Sequence, residues 1–400
     1  MKIFFYIGLF AFLFNCSASC NGQHKKITAS PDIPNTDINA VPQNISSQDT
    51  SPGWTQNGQK ILLTGIVYQE DGKTPAPDVV IYYYHTNTDG KYLHKPEEKR
   101  SMPPNTLGQT HGYIRGWVKT DKNGKYSIYT VRPGVYPTMD APAHIHPTIK
   151  EPNSIKEYYI DDFVFDDDKL LTTAIRRKME NRGGTGVLRL VQKDNLFIGE
   201  RNIILGLNIP GYPTKKKTEI SSGNNVGEDV FSFIPFHAWG PDKGTKTCPI
   251  CKYGWYHGIL YFVGNNPNWD EIKQWLRFLE SEGRKREKYL KVYFIYGNEI
   301  KYRKTERERE LEKIGRELQL EKTALTFVPS FSDKDSEIYL NRINQTMDNT
   351  FLIYKRSRVN DKFINLKPTQ ENFNLITQQL DHTINEYFYL GSSGVKERNE

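Results

Sequence analysis

Short β-rich runs separated by turn-forming residues constrain the first half of this 400-residue chain more than any other feature. The runs are rich in Val, Ile, Tyr and Thr, they lack helical periodicity, and Gly, Pro, Asp and Asn stand between them. The predicted strands are residues 63–68, 79–84, 116–120, 126–131, 144–149, 186–191 and 203–208. Short strands at this spacing are typical of two packed sheets, so we predict an all-β sandwich over residues 59–212.

A different pattern, in which strands alternate with helices, begins near residue 230. Asn268 with Glu271, and Thr305 with Glu308, match the capping box that opens a helix. The predicted strands are residues 259–263, 291–296, 324–328, 350–354 and 363–366, and further helices are predicted over residues 335–345 and 369–388. We therefore predict an α/β domain over residues 230–390, which resembles the thioredoxin-like superfamily, with a linker over residues 213–229 and a tail over residues 391–400.

Residues 1–20 resemble a bacterial export signal. Their apolar run, residues 3–14, is shorter than the roughly 20 residues that a membrane-spanning helix needs. The small residues before Cys20 resemble a lipoprotein cleavage site, which implies lipidation of Cys20, with Cys16 as the alternative. Residues 21–58 are rich in Ser, Thr, Asn, Gln and Pro, so we predict a disordered tether. We expect an exported protein of a bacterial cell envelope, anchored to the membrane by lipid alone, or periplasmic without lipidation.

Charge and composition exclude other classes of protein. The net charge is +7, but the densest basic stretch, residues 284–309, alternates Lys and Arg with Glu. Such alternation is typical of a solvated helix surface, so we predict no nucleic-acid partner. With 37% hydrophobic and 12% aromatic residues, the chain has enough apolar material for packed cores and is not disordered as a whole.

Two histidines in one predicted strand give the first indication of a metal site. His144 and His146 are two positions apart, so both imidazoles point to the same face of the strand and can reach one ion. Tyr136 lies upstream in an Arg-Pro-Gly-Val-Tyr-Pro segment, whose rigid turn holds the phenol close to that strand. Ordinary polar histidines would give the same pattern, so the neighbouring sequence decides between the two interpretations.

That neighbouring sequence, through most of residues 62–212, resembles the intradiol ring-cleavage dioxygenases, the non-haem ferric enzymes that include protocatechuate and catechol dioxygenases. The matching motifs are Thr-Gly-Ile-Val at 64–67, Gly-Lys-Thr-Pro-Ala-Pro-Asp-Val at 72–79, Tyr-Tyr-Tyr-His at 82–85, Asp-Gly-Lys-Tyr at 89–92, Arg-Gly-Trp-Val-Lys-Thr-Asp at 115–121, Arg-Pro-Gly-Val-Tyr-Pro at 132–137 and Pro-Ala-His-Ile-His at 142–146.

The resemblance implies that Fe(III) is bound by Tyr92, Tyr136, His144 and His146. It also implies an aromatic diol of the catechol type and O₂ as substrates. The ring would open between its two hydroxylated carbons to give a muconate-type product, and Tyr92 would be the base that accepts a substrate proton.

The sequence departs from the family pattern at several positions. Ala141 stands where arginine is common, Glu157 stands where glutamine is expected, and Tyr84 stands where tryptophan is usual. These differences concern the rate and the substrate more than iron binding. The consecutive carboxylates at residues 166–168 point in different directions unless a loop wraps them, so we predict a solvated turn there rather than a second metal site.

The pair Cys248-Pro-Ile-Cys251 is similar in local sequence to a thioredoxin active site. We predict that it precedes the first strand of the second domain, instead of following a core strand, and this favours a structural or slowly exchanging disulfide. Zinc is disfavoured because no second cysteine pair exists and because nothing in the sequence supports the candidates His237 and His257 as ligands. Two alternatives to a dioxygenase stay open, namely a non-catalytic surface sandwich that binds a ligand and a thiol–disulfide protein.

Overall fold

The structure is a computed structural model, and it describes residues 41–213, 221–300 and 302–391. The predicted signal, the lipidation candidate Cys20 and most of the predicted tail lie outside the described residues. Among those described, no helix is long and apolar enough to cross a membrane.

Two sheets form the first region of the fold. Its strands are β1 (Gln48–Thr50), β2 (Lys60–Tyr68), β3 (Val80–Tyr84), β4 (Arg115–Lys119), β5 (Lys125–Val131), β6 (His144–Lys150), β7 (Tyr158–Tyr159), β8 (Phe163–Phe165), β9 (Val187–Leu188), β10 (Val191–Lys193), β11 (Leu196–Glu200) and β12 (Ile203–Ile204), and a short helix, α1 (Thr173–Lys178), precedes β9. One sheet has the order β1-β5-β2-β11-β10, with β12 also paired to β2, and the other has the order β4-β3-β6-β8-β9, with β7 paired to β6.

The two sheets share one core because alternate residues of their strands point inward. Ile61 and Ile128 from one sheet, and Ile81, Ile145 and Phe163 from the other, are fully buried in the same apolar cluster. The predicted β-sandwich is therefore what the structure shows for this region. The predicted strand over residues 203–208 is shorter, because Gly206 and Asn208 have positive φ angles and turn the chain away.

The prediction of disorder for residues 21–58 is wrong for its described end. Residues 48–50 form β1, which pairs with β5, and a 3₁₀ turn follows at Pro52–Thr55. Asp49 stabilises this strand because its carboxylate accepts hydrogen bonds from the Tyr83 hydroxyl at 2.6 Å and from the Arg100 guanidinium at 2.7 Å. Local composition does not reveal such a pairing with distant residues.

A mixed α/β sheet forms the second region. Its elements are β13 (Phe236–Trp239), α2 (Pro249–Tyr253), β14 (His257–Val263), α3 (Trp269–Lys285), β15 (Leu290–Tyr296), α4 (Lys304–Glu317), β16 (Thr323–Phe327), β17 (Thr350–Lys355), β18 (Arg358–Ile364) and α5 (Gln370–His382). The strand order is β13-β16-β15-β14-β17-β18, and β14, β15 and β16 are parallel. Apolar side chains of α3, α4 and α5, among them Trp275, Leu311 and Leu380, pack in one core with the sheet.

Two of the helix predictions for this region are wrong. The helix predicted over residues 335–345 is a single 3₁₀ turn, Ile338–Asn341, because Glu337 and Arg342 at its ends have left-handed backbone angles. The capping box at Thr305 is absent, since α4 begins at Lys304 and its N-cap residue makes no side-chain cap bond. The cap predicted at Asn268 is confirmed, because its side chain accepts the Glu271 amide at 3.3 Å.

A cluster of buried charges joins the two regions. Glu200, at the end of β11, accepts a hydrogen bond from Arg356 at 2.8 Å and lies 3.5 Å from the ammonium of Lys355. Arg358 donates to the Glu200 carbonyl at 3.0 Å. Although burial alone would raise it, these cations lower the pKa of the Glu200 carboxyl. Glu200 therefore supplies the counter-charge for Arg356 and Lys355 at the junction.

We expect Glu200→Ala to lower the free energy of unfolding by about 3 kcal/mol, because it leaves Arg356 and Lys355 buried without their counter-charge. Urea denaturation followed by circular dichroism measures the change. Glu317→Ala is the matched control, since its pair with Lys273 at 2.8 Å lies at the surface, where water and salt weaken an ion pair. Equal effects of the two substitutions would contradict a role for Glu200 in the junction.

Candidate metal centre

Four side chains that are far apart in the sequence meet at one end of the sandwich. The Tyr136 hydroxyl lies 2.8 Å from the Tyr92 hydroxyl, 3.1 Å from Nε2 of His144 and 3.3 Å from Nε2 of His146. His146 is buried, and the other three are half-buried. The structure thus brings together all four residues predicted to bind iron, with two phenol oxygens and two imidazole nitrogens facing one another.

Both histidines lie on β6, which begins at His144. The intervening Ile145 points into the core and is fully buried, so the two imidazoles project together from the opposite face of the strand. Register with neighbouring strands fixes their height, because His146 pairs with Tyr84 of β3 and His144 pairs with Val164 of β8.

Two glycine-containing loops position the tyrosines. The amide of Gly134, in the loop that carries Tyr136, donates to the Asn87 carbonyl at 2.9 Å. Gly90, in the loop that carries Tyr92, has a φ of +75° and packs against the Val135 carbonyl, where a Cβ would collide. The loops can approach each other this closely only because neither glycine has a side chain.

Hydrogen bonds fix the tautomer of each imidazole. Nδ1 of His144 lies 2.7 Å from the Pro142 carbonyl, and Nδ1 of His146 lies 2.9 Å from the Asp162 carboxylate. Both acceptors require a proton on Nδ1, so each Nε2 presents its lone pair to Tyr136. Two neutral imidazoles with free Nε2 lone pairs are the form that binds a cation.

Burial keeps the donor groups uncharged while no cation is bound. Desolvation raises the pKa of Tyr92 well above its ordinary value, and it also raises the pKa of Tyr136. Desolvation and the nearby His146 lower the pKa of His144. A bound cation would reverse this preference for the phenols by stabilising their anions.

Asp162 is a site residue that the sequence analysis missed. Burial raises the pKa of its carboxyl, but the adjacent His146 and His144 outweigh burial and lower it below the ordinary value. The predicted counterpart of the family's glutamine is Glu157, whereas the residue that contacts His146 is Asp162, directly before β8. The pairing of β8 with β6 would have indicated Asp162, but that register is not visible in the sequence.

A stack of aromatic rings supports the back of the site. Tyr84 stacks on His146 with ring centroids 4.7 Å apart, and it stacks on the buried His111 at 3.7 Å. Burial lowers the pKa of His111 to about 3, so this imidazole is neutral and can pack against the tyrosine ring. Tyr84, at the position where tryptophan is usual, therefore holds the face of His146.

The consecutive aspartates have separate partners. Asp166 pairs with Arg176 at 2.7 Å, and Asp167 pairs with Arg132 at 2.8 Å. Asp168 accepts the Ala143 amide at 2.8 Å and so fixes the backbone directly before His144. The three carboxylates therefore point to three different partners.

Cys248 and Cys251 form a disulfide. One part of the prediction for this pair is wrong, because β13 precedes it and the pair opens helix α2. Nε2 of His237 lies 2.8 Å from the Thr247 carbonyl, and Nε2 of His257 lies 2.9 Å from the Thr383 hydroxyl. In the described part of the chain, the one group of His, Cys, Asp and Glu side chains spaced for a metal ion is His144, His146 and Asp162.

Comparisons with known proteins concern the β-sandwich region. Residues 37–195 match the family described as Dioxygenase. The protocatechuate 3,4-dioxygenase beta chain of Burkholderia cepacia is 33% identical over 99 residues, which is 24% of this chain and 37% of that protein. The catechol 1,2-dioxygenase of Acinetobacter baylyi is 28% identical over 125 residues, which is 27% of this chain and 37% of that protein.

A similar solved structure is catechol 1,2-dioxygenase from Acinetobacter sp. ADP1 with bound mercury, at 20% identity and a TM-score of 0.30, covering 41% of this chain and 59% of that one. The chain thus spans about a third of the length of the curated relatives that it matches. The β-sandwich region is therefore similar to part of these two dioxygenases and to the Dioxygenase family model. The thioredoxin-like assignment of the second region stays a prediction.

Proposed function

We propose that this protein is an Fe(III)-dependent intradiol dioxygenase that cleaves catechol-type aromatic diols with O₂ to muconate-type dicarboxylates. The observation that carries the proposal is the convergence of the Tyr92 hydroxyl and the Nε2 atoms of His144 and His146 on the Tyr136 hydroxyl. A non-catalytic sandwich would have no need to bring these four groups together.

The chemistry of the donor set fits ferric iron. Phenolate is a hard anionic oxygen ligand, and two phenolates would offset most of the charge of a trivalent cation, while imidazole adds nitrogen donors without further charge. A second possible set is His144, His146 and Asp162, the two-histidine, one-carboxylate pattern of other iron sites. The first set is favoured because Asp162 contacts Nδ1 of His146, on the other side of the ring from Nε2.

Bound iron would supply Lewis acidity and a template for the diol and O₂. The chain's own contribution is to hold and move protons. Tyr92 is suited to accept a proton from the substrate at its phenol oxygen, because burial makes its phenolate a strong base. Tyr136 is suited to stay in place as a ligand, since its hydroxyl contacts all three of the other predicted ligands.

Exposed apolar side chains beside the two tyrosines suit an aromatic substrate. Leu93 follows Tyr92, Val135 precedes Tyr136, and Met139 donates its amide to the Tyr136 carbonyl. These three side chains are 38%, 41% and 59% exposed. Ala141 stands where arginine is common, so position 141 provides no cation that could pair with a substrate carboxylate. This favours an uncharged diol over an aromatic acid.

Metal analysis with an optical spectrum, followed by addition of diols, tests the proposal. We expect iron-loaded protein to be coloured by tyrosinate-to-iron charge transfer and to consume O₂ with at least one uncharged catechol, with zinc-loaded protein as the colourless, inactive control. A colourless iron-loaded protein would reject the tyrosine ligands. Colour without O₂ uptake across a catechol panel would reject the enzyme and leave the metal site.

We also propose that the mature protein begins at a lipidated Cys20 and is held at the membrane of a cell envelope. The pattern of residues 1–20 supports this proposal. The intact mass of protein from the native host tests it, because lipidation adds a defined mass to a chain that starts at Cys20. An unmodified N-terminus would reject the anchor.

A further inference from the structure

The disulfide Cys248–Cys251 closes a loop within one short helix. Cys248 is the N-cap residue of α2 and is half-buried, whereas Cys251 lies within the helix and is exposed. The backbone amide of Cys251 donates to Sγ of Cys248 at 3.0 Å. The two sulfurs therefore differ both in accessibility and in hydrogen bonding.

The disulfide is poorly explained as a structural cross-link. The stabilisation that a disulfide gives is smallest for short loops, and this one joins residues only three apart in the sequence. Backbone hydrogen bonds already hold the same segment, from the Lys252 amide to the Cys248 carbonyl at 3.1 Å and from the Gly254 amide to the Ile250 carbonyl at 2.8 Å. The Ser357 hydroxyl fixes the end of the helix by donating to the Gly254 carbonyl at 3.2 Å.

We propose that Cys248–Cys251 is a redox-active disulfide that oxidises dithiols, an activity separate from ring cleavage. The exposed Cys251 sulfur is the one attacked, because an incoming thiolate can reach it. Cys248 is the leaving thiolate, because the Cys251 amide already points at its sulfur and a hydrogen-bond donor stabilises the anion.

The exchange balances with a dithiol as reductant. In the first step, the thiolate of the dithiol forms a bond to Sγ of Cys251, and the Cys248–Cys251 bond breaks to leave a thiolate on Cys248. In the second step, the other thiol of the reductant, after losing its proton, attacks its own sulfur in the mixed disulfide. Cys251 leaves as a thiolate, so two electrons have passed to the pair and the reductant has become a disulfide.

The surface around the pair suits such an exchange. Lys252 follows Cys251 directly, and its ammonium forms an ion pair with the buried carboxylate of Asp242 at 2.9 Å. Lys246, two residues before Cys248, lies over the Phe236 ring at 4.7 Å. Cations near a cysteine favour its thiolate, so both lysines would stabilise the reduced pair.

Exchange with dithiothreitol and with glutathione, followed by rapid alkylation and intact-mass measurement on the full chain, tests the proposal. After reduction, we expect the folded wild-type protein to carry two more alkylated cysteines than the double variant Cys248→Ser/Cys251→Ser, and we expect reoxidation to remove this difference. The double variant corrects for alkylation of the remaining cysteines. A pair that stays oxidised in folded protein under millimolar dithiothreitol would overturn the proposal.

Single variants test the direction of attack. With oxidised glutathione, whose disulfide the remaining thiolate attacks to release reduced glutathione, Cys248→Ser should form a mixed disulfide at Cys251 at least about tenfold faster than Cys251→Ser forms one at Cys248, because of their different exposure. Equal rates would overturn the assigned order. Circular dichroism shows whether each variant is folded, and the wild-type experiment decides the main question without them.

Discussion

Tyr136→Phe is expected to remove most of the visible absorption of iron-loaded protein and to weaken iron binding by more than about 100-fold, beyond the loss usual for residues that only support a ligand. The Tyr136 hydroxyl is the one atom within hydrogen-bond distance of Tyr92, His144 and His146 together. Removing it deletes a ligand and leaves the two imidazoles without the oxygen that they face. Competition with a chelator measures the affinity, and the optical spectrum reports the phenolate.

Two further variants make this result specific. Tyr92→Phe should keep bound iron with an altered absorption band and lose O₂ uptake, because the Tyr92 hydroxyl reaches the group only through Tyr136. Tyr158→Phe is the control for loss of a phenol elsewhere, since its hydroxyl bonds to Glu151 at 2.7 Å. If Tyr136→Phe retained wild-type colour and affinity, Tyr136 would be excluded as a ligand of the iron.

The parts of the site that could be predicted from the sequence are those encoded locally or carried by motifs. The same-face arrangement of His144 and His146 follows from strand geometry alone. Tyr92 and Tyr136 could not be separated from other tyrosines by local rules, and the family motifs singled them out. The two tyrosines come together because their loops contact each other at Gly90 and Gly134. A contact between two distant loops leaves no periodic pattern in the sequence.

Asp162 and the Cys248–Cys251 pair show what the sequence could not reveal. Asp162 contacts His146 only because β8 pairs with β6, and that register depends on sandwich packing. The prediction that the cysteine pair precedes the first strand of its domain is wrong because of β13. This short edge strand gives too weak a sequence pattern to detect. The helix prediction for residues 335–345 is wrong for a related reason. The Asn341 side chain forms hydrogen bonds with the backbone of Phe231, which is distant in sequence, and local sequence does not reveal this contact.

Asp162 provides the second large effect that we expect. Its carboxylate accepts the Nδ1 proton of His146 and so orients the ring and increases the electron donation of Nε2. Asp162→Asn keeps an acceptor but removes the charge, whereas Asp162→Ala removes both. We expect iron affinity to fall by about 10-fold in the first variant and about 100-fold in the second. The tyrosinate absorption should survive in both and move to lower energy, because a less electron-rich His146 leaves the iron more electron-poor.

Asp166→Asn is the matched control, because it neutralises a carboxylate of the same segment whose partner is Arg176. The comparison with Tyr136→Phe then decides between the two donor sets. If Asp162 binds the metal directly, Asp162→Ala abolishes binding while Tyr136→Phe retains it. If Asp162 only orients His146, Tyr136→Phe loses more iron affinity than Asp162→Ala does. The reason is that Tyr136 is then a ligand of the iron, whereas Asp162 only adjusts the strength of a ligand.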